Sequence, residues 1–293
     1  MNNLRFTPLV ELKNINGNEN VNNFIYGKVE SENPTGSIKD RTVYQMLLDY
    51  QESGKLKPGS TIVEATSGNT GIALSYYSKI FNYKCLIVMP TSMSKQRREM
   101  IAQYGASLVL VDGGMKECNK KAEEIIKLVP DSFIFDQFNS KSNAKAHYLS
   151  TAVELDQQLE DVDYIFVCIG TGGTISGIGQ YYKEHSPKTK IIGIEPYESP
   201  LLTKGIASSH LIQGIGANFI PNTYEPKYVD EVITVKGEES ILEARKIREI
   251  EKLDIGISSG ACYLAAVNYL KSNNINNKKV IVIFPDKGDR YTW

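Results

Sequence analysis

The chain has 293 residues, room for about two domains. Its 41% hydrophobic and 23% charged residues are those of an ordinary soluble globular protein. With 33 basic against 34 acidic residues the net charge is −1, which gives no electrostatic case for nucleic acid or an anionic membrane as partner. The start, MNNLRFTPLVEL, has no basic segment followed by a long apolar run, and no stretch reaches the roughly 18 apolar residues of a membrane span. Neither a signal peptide nor a transmembrane helix is expected, and a reducing, cytoplasmic setting is. Cys85, Cys118, Cys168 and Cys262 form no CxxC pair, and His147, His185 and His210 are equally dispersed, so no metal site is expected. Three of the cysteines read as buried packing, and Cys118, in a polar stretch, reads as a surface thiol.

In chain order, NINGNENVNN (14–23) reads as a polar turn, and ENPTGSIKDR (32–41) leads into a helical pattern, DRTVYQMLLDY. TIVEA (61–65) is a short strand that ends at TSGNTG and gives way to the helical GIALSYYSKIF. CLIVMP (85–90) and the helical MSKQRREMIAQYGA follow, with Gly105 as a helix stop. SLVLVDG (107–113), the helical MKECNKKAEEIIKLV and FIFDQF (133–138) complete that series. A second series runs from YIFVCIG (164–170) through a helix over 174–185 to KIIGIEP (190–196), and closes with VIVIFPD (280–286). Strands this apolar, separated by helical patterns, predict parallel sheets covered on both faces, with functional loops at the carboxyl ends of the strands. KSNNINNKK (271–279) reads as a polar surface turn.

Four segments cluster glycine, hydroxyl and amide residues at strand ends or helix starts. In ENPTGSIKDR, Lys39 stands at a helix start, and by itself reads either as a solvated lysine or as an amine whose pKa the positive helix end lowers. EATSGNTG (64–71) offers more donors than capping needs, which suits a carboxylate. GTGGTISG (170–177) lets backbone N–H groups converge on a phosphate; it is no dinucleotide fingerprint, because Ile175 stands where GxGxxG needs its third glycine. No GxxxxGK[ST] occurs. In GISSGACYLAA (256–266), Ser258 and Ser259 precede an apolar helix, and either reads as a cap. Together the four supply an amine, a carboxylate site, a phosphate site and a neutral hydroxyl, the parts needed to hold pyridoxal 5′-phosphate (PLP) and an amino acid.

NPTGSIKDR, TSGNTG, GTGGTISG, IQGIGANFIP and GISSGA occur in this order, and with them the chain resembles the β-family of PLP enzymes, fold type II, in its cysteine synthase (O-acetylserine sulfhydrylase) and cystathionine β-synthase group. The likeness runs from Thr7-Pro8-Leu9-Val10 to GDRY (288–291). It implies two three-layer α/β domains with mostly parallel sheets, like tryptophan synthase β: a smaller one over 32–139 and a larger one over 1–31 plus 140–293. It implies that Lys39 forms the Schiff base and moves the Cα proton, and that Asn69 contacts the PLP 3-hydroxyl. By the same likeness Gly170, Thr171, Gly172, Gly173 and Thr174 hold the phosphate and Ser258 faces the pyridine nitrogen. Thr66, Ser67, Thr70 and Gln137 receive the substrate carboxylate, and Gly214 lies beside the site.

A neutral hydroxyl at the pyridine leaves a weaker electron sink than a carboxylate would, which favours expulsion of a group from Cβ and β-replacement through an α-aminoacrylate. The resemblance thus implies cysteine synthesis from O-acetyl-L-serine and sulfide, with hydrogen-sulfide-producing turnover of cysteine and cystathionine β-synthesis as alternatives. MPTSMSKQRREMIAQYGASLVLVDG looks like cysteine synthase, whereas FDQFNSKSNAKAHYLSTAVEL looks more like cystathionine β-synthase. Should water be the nucleophile, a further base is needed. Asp230 in KYVDEV reads either as that base or as a solvent-facing loop acid. A homodimer and docking of a serine acetyltransferase tail are further implications of the resemblance.

Overall fold

In the computed structural model, which describes residues 4, 6–19, 21–66 and 68–291, the chain divides into two compact units, Met1–Ile38 with Phe138–Trp293, and Lys39–Gln137. The first unit begins with β1 (Leu9–Glu11), α1 (Lys13–Asn18) and β2 (Phe24–Val29). The second unit holds α2 (Lys39–Glu52), β3 (Thr61–Ala65), α3 (Asn69–Ile80), β4 (Lys84–Pro90), α4 (Lys95–Gln103), β5 (Ser107–Val111), α5 (Met115–Leu128) and β6 (Ser132–Ile134). The chain then returns to the first unit with α6 (Lys141–Ala146), a π-helical turn over 147–151, α7 (Ala152–Gln158), β7 (Tyr164–Cys168), α8 (Gly173–His185) and β8 (Lys190–Pro196). It ends with α9 (Leu201–Lys204), β9 (Glu231–Val235), α10 (Gly237–Glu251), α11 (Ile257–Ser272) and β10 (Lys279–Phe284).

The first unit's sheet has the order β1-β2-β10-β7-β8-β9, parallel except for β1 against β2. Alternation along its strands sorts the core into two layers. Phe166, Ile192, Ile194, Val280, Val282 and Phe284 pack with Ile15 of α1, Ile247 of α10 and Ala261, Ala265 and Ala266 of α11. Their strand neighbours Ile165, Val167, Ile191, Ile281 and Ile283 pack on the other face with Leu155 of α7 and Ile175, Ile178 and Tyr182 of α8. This is why these strands read as unbroken apolar runs: both faces are covered.

The second unit's sheet, β5-β4-β3-β6, is wholly parallel. Val63, Ala65 and Val88 meet Cys118 and Ala122 of α5 on one face. On the other face Ile87 lies beside the start of α3, where a Cβ at Gly71 would stand 3.4 Å from its Cγ2. Both units are thus helix–sheet–helix sandwiches, as the resemblance to fold type II implies.

Three local readings are corrected. Residues 14–23 are not simply a turn: α1 forms there, with Ile15 buried and Asn16 accepting a hydrogen bond from the Tyr263 hydroxyl at 2.9 Å. Cys118 is no surface thiol but fully buried, because the apolar face of α5 turns it toward β3. The strand read as FIFDQF stops at Ile134, since Asp136 takes a left-handed backbone (φ +63°).

Candidate active site

In the first unit the glycine segment follows β7 at its carboxyl end and runs into the N-terminus of α8, where orphan N–H groups and the helix dipole favour an anion. Gly172 caps the helix in a left-handed conformation (φ +85°), with no space for a Cβ, which would meet Tyr224 Cβ at 2.6 Å. Gly173 is required by close approach: a Cβ there would stand 2.1 Å from Asn143 Oδ1. Around the loop the chain supplies a polar scaffold. The Asn143 amide donates to the Thr171 hydroxyl at 3.1 Å, the Thr223 hydroxyl donates to the Thr171 carbonyl, and His147 Nε2 lies 3.2 Å from the Thr174 hydroxyl. Asn143 and His147 are both fully buried. Sequence reasoning passed over them; the π-helical turn that brings His147 against Thr174 leaves no mark in a hydrophobic pattern.

Gly214 and Ser258 join this loop. The position of a Cβ on Gly170 is 2.5 Å from the Gly214 carbonyl oxygen, so the 214 turn (φ +92°) lies directly on the glycine segment. Ser258 opens α11 and is buried, and its carbonyl accepts from the Cys168 thiol at 3.4 Å. One turn on, the Cys262 thiol donates to the Phe166 carbonyl at 3.1 Å, so two thiols tie the start of α11 to β7. The adjacent Cys262, with burial, pushes the Cys168 thiol well above the usual range, and it is no nucleophile.

In the second unit Lys39 is the first residue of α2 and is half-buried, not the solvated lysine of a bare helix start. Thr66 follows β3, and Asn69 and Thr70 open α3. The Thr70 hydroxyl donates to Gln137 Oε1 at 2.7 Å, so two residues 67 apart in sequence are joined at the start of α3. Ser67 lies outside the described residues. Behind this pair sits Glu64, which accepts from Gln137 Nε2 and from the Asp136 N–H, both at 3.1 Å. Burial, against those hydrogen bonds, pushes its carboxyl up to about 7.

Asp230 belongs elsewhere. It is bound by Lys183 Nζ at 2.6 Å, Lys190 Nζ at 3.1 Å and the Ile191 N–H at 2.9 Å. Lys190 and Ile191 begin β8 and pair with Tyr164 and Ile165 of β7, at the amino end of the sheet, whereas the glycine segment leaves the carboxyl end. Although partial burial works the other way, the Ile191 N–H and the two lysines hold its carboxyl below the usual range. The reading of Asp230 as a base for water is corrected to a clamp across the amino ends of β8 and β9.

The donor set suits a phosphorylated aldehyde cofactor: a glycine cradle at a 13-residue helix, two threonine hydroxyls on it, and a neutral serine at the start of α11, which is tied to the strand that leads into the cradle. Among the described residues no cluster of His, Cys, Asp and Glu is set to hold a metal, and no helix is long and apolar enough to cross a membrane. The family model described as pyridoxal-phosphate dependent enzyme matches residues 1–286, and the chain belongs to this family of PLP-dependent enzymes. Cysteine synthase B of Campylobacter jejuni is 44% identical over 288 residues, covering 97% of this chain and 93% of its own. A hydrogen sulfide-producing enzyme from Fusobacterium nucleatum superposes with a TM-score of 0.93 at 38% identity, covering 98% of this chain and 95% of its own. Cysteine synthase from Entamoeba histolytica does so with a TM-score of 0.93 at 36% identity, covering 97% and 86%.

Proposed function

We propose that this protein is a cysteine synthase: it replaces the acetoxy group of O-acetyl-L-serine by sulfide, giving L-cysteine and acetate. The observation that carries the reading is the pairing of Thr70 with Gln137 at the start of α3, a helix end whose orphan N–H groups suit a carboxylate, in a chain whose glycine segment at α8 suits a phosphate. PLP, when bound, supplies an electron sink that stabilises negative charge at the substrate Cα.

The chain's own residues would do the rest. Lys39 Nζ is the attachment point for the cofactor and the base that takes the Cα proton and later returns one. The backbone N–H groups of 170–174, with the Thr171 and Thr174 hydroxyls, hold the phosphate. Ser258 meets the pyridine nitrogen with a neutral hydroxyl, and Asn69 the 3-hydroxyl. Thr66, Ser67, Thr70 and Gln137 bind and orient the substrate carboxylate, and Gly214 lies beside the site. A cytoplasmic homodimer, able to take a serine acetyltransferase tail, is the assembly this reading carries.

The likeness to a hydrogen sulfide-producing enzyme favours a second reading, with L-cysteine as substrate and sulfide as leaving group. One assay separates them. PLP-loaded protein is incubated with O-acetyl-L-serine plus sulfide, and separately with L-cysteine alone or with homocysteine, and the amino acids and sulfide are quantified. L-Cysteine formed at least tenfold faster than sulfide is released supports synthesis, and the reverse ratio overturns it. Lys39→Ala should abolish both and remove the visible absorbance of the lysine-bound cofactor.

A further inference from the structure

β6 ends at Ile134, and the Phe135 N–H makes one more bond to the Val63 carbonyl at 2.9 Å before Asp136 turns the chain through a left-handed conformation (φ +63°). A non-glycine residue holds that conformation where the surroundings fix it. Here Glu64 does so, its Oε2 accepting the Asp136 N–H at 3.1 Å. Its Oε1 accepts Gln137 Nε2, also at 3.1 Å. Because the nitrogen of the Gln137 amide faces Glu64, the oxygen faces the other way and accepts the Thr70 hydroxyl at 2.7 Å. A single chain of hydrogen bonds therefore runs from β3 through the corner at 136–137 to the first turn of α3. Every side chain in it is buried: Glu64 and Gln137 are 4% exposed and Thr70 is 3%.

A buried carboxyl is costly unless it is hydrogen-bonded, and a pair of apolar residues would hold β3 to β6 more cheaply. What a carboxylate adds is direction. As an acceptor it draws the nitrogen end of the Gln137 amide inward, in agreement with the Thr70 hydroxyl, which donates to the oxygen end. We propose that Glu64 is the positioning residue of the carboxylate-binding loop: by taking one Nε2–H of Gln137 it fixes the Asp136–Gln137 corner, and leaves the second Nε2–H, beside the first-turn backbone N–H groups of α3, as the donor for a substrate carboxylate. This rests on the reading that Gln137 and Thr70 receive the carboxylate of an amino-acid substrate.

The test compares PLP-loaded wild type, Glu64→Gln, Gln137→Ala and the double variant. KM and kcat are measured with O-acetyl-L-serine and sulfide, and L-alanine, which has no leaving group, is titrated by the change in cofactor absorbance. At pH 8, where the Glu64 carboxyl is ionised, Glu64→Gln should raise KM and weaken L-alanine about tenfold, the worth of a charge-assisted hydrogen bond, with kcat within threefold and PLP affinity unchanged. In the Gln137→Ala background the same change should add less than twofold. Unchanged KM, or an equal effect with and without Gln137, overturns the proposal. Should Glu64→Gln fail to fold by far-UV circular dichroism, Glu64→Asp takes its place; failure of both assigns Glu64 to stability alone and also overturns it. Wild type that neither binds L-alanine nor turns over O-acetyl-L-serine instead removes the functional reading, and the proposal with it.

Discussion

His147 Nε2 lies 3.2 Å from the Thr174 hydroxyl, while Nδ1 of the same ring lies 2.8 Å from Thr151 Oγ1. The imidazole is fully buried, and the π-helical turn over 147–151 carries both it and Thr151. π-Turns of this kind are rare and cluster at functional sites. The ring fixes the rotor of a hydroxyl on the glycine segment, at the helix end best suited to an anion.

His147→Leu keeps the volume and removes both hydrogen bonds. Freed of its partner, the Thr174 hydroxyl should hold a phosphate less well, weakening PLP about five- to tenfold, the worth of roughly one hydrogen bond. Dialysis against graded PLP measures this, and the ³¹P resonance of the bound cofactor should shift. An unchanged resonance and dissociation constant would confine His147 to packing.

Ser258 and Ser259 look interchangeable in the sequence but differ in the fold. Ser259 is fully buried, and among the described residues its hydroxyl finds no hydrogen-bond partner. An unsatisfied buried hydroxyl is a cost, so Ser259→Ala should raise unfolding stability by about 1 kcal/mol with the cofactor spectrum untouched. Ser258→Ala should instead alter the cofactor absorbance and slow turnover at least tenfold. The same response from both variants would refute this division.

Much of this architecture was legible. TIVEA, CLIVMP, KIIGIEP and VIVIFP became β3, β4, β8 and β10 because strands buried on both faces are written as apolar runs. β2 was missed, since Gly27 and Lys28 interrupt its apolar pattern: Phe284 fills the space a Cβ at Gly27 would need, and Lys28 is buried against Glu154 at 2.6 Å. The glycine segment and the loop at α3 announce themselves by composition. Glu64, Asn143 and His147 do not, because what they do depends on partners 28 to 73 residues away or on a local π-turn. Asp230 stayed open between two readings for a related reason: a motif shows that an acid is present but not at which end of a sheet it lies.

Asp230→Asn follows from that position. It removes a charge from two lysine contacts yet keeps an oxygen for the Ile191 N–H. Partly exposed pairs of this kind are worth little, so the loss should be about 1 kcal/mol. Steady-state kinetics with O-acetyl-L-serine, L-cysteine and homocysteine should stay within twofold of wild type. A tenfold loss with any of these substrates would reinstate Asp230 as a catalytic residue.

The pH dependence of stability provides the last test, and Glu64 sets its sign. In the folded chain its carboxyl titrates at about 7, against an ordinary value of 4.5. Between those two values the folded state binds more protons than the unfolded one, so unfolding free energy falls as pH rises. The contribution is fully present below about pH 4.5 and is lost as pH climbs through 7. The full span corresponds to about 3 kcal/mol. Glu64→Gln carries no such proton, so the difference in unfolding free energy between wild type and variant should shrink by about 3 kcal/mol from about pH 4 to about pH 9, measured by urea denaturation. A difference that stays constant over this range would mean that Glu64 is ionised throughout, with its two donors outweighing the cost of burial.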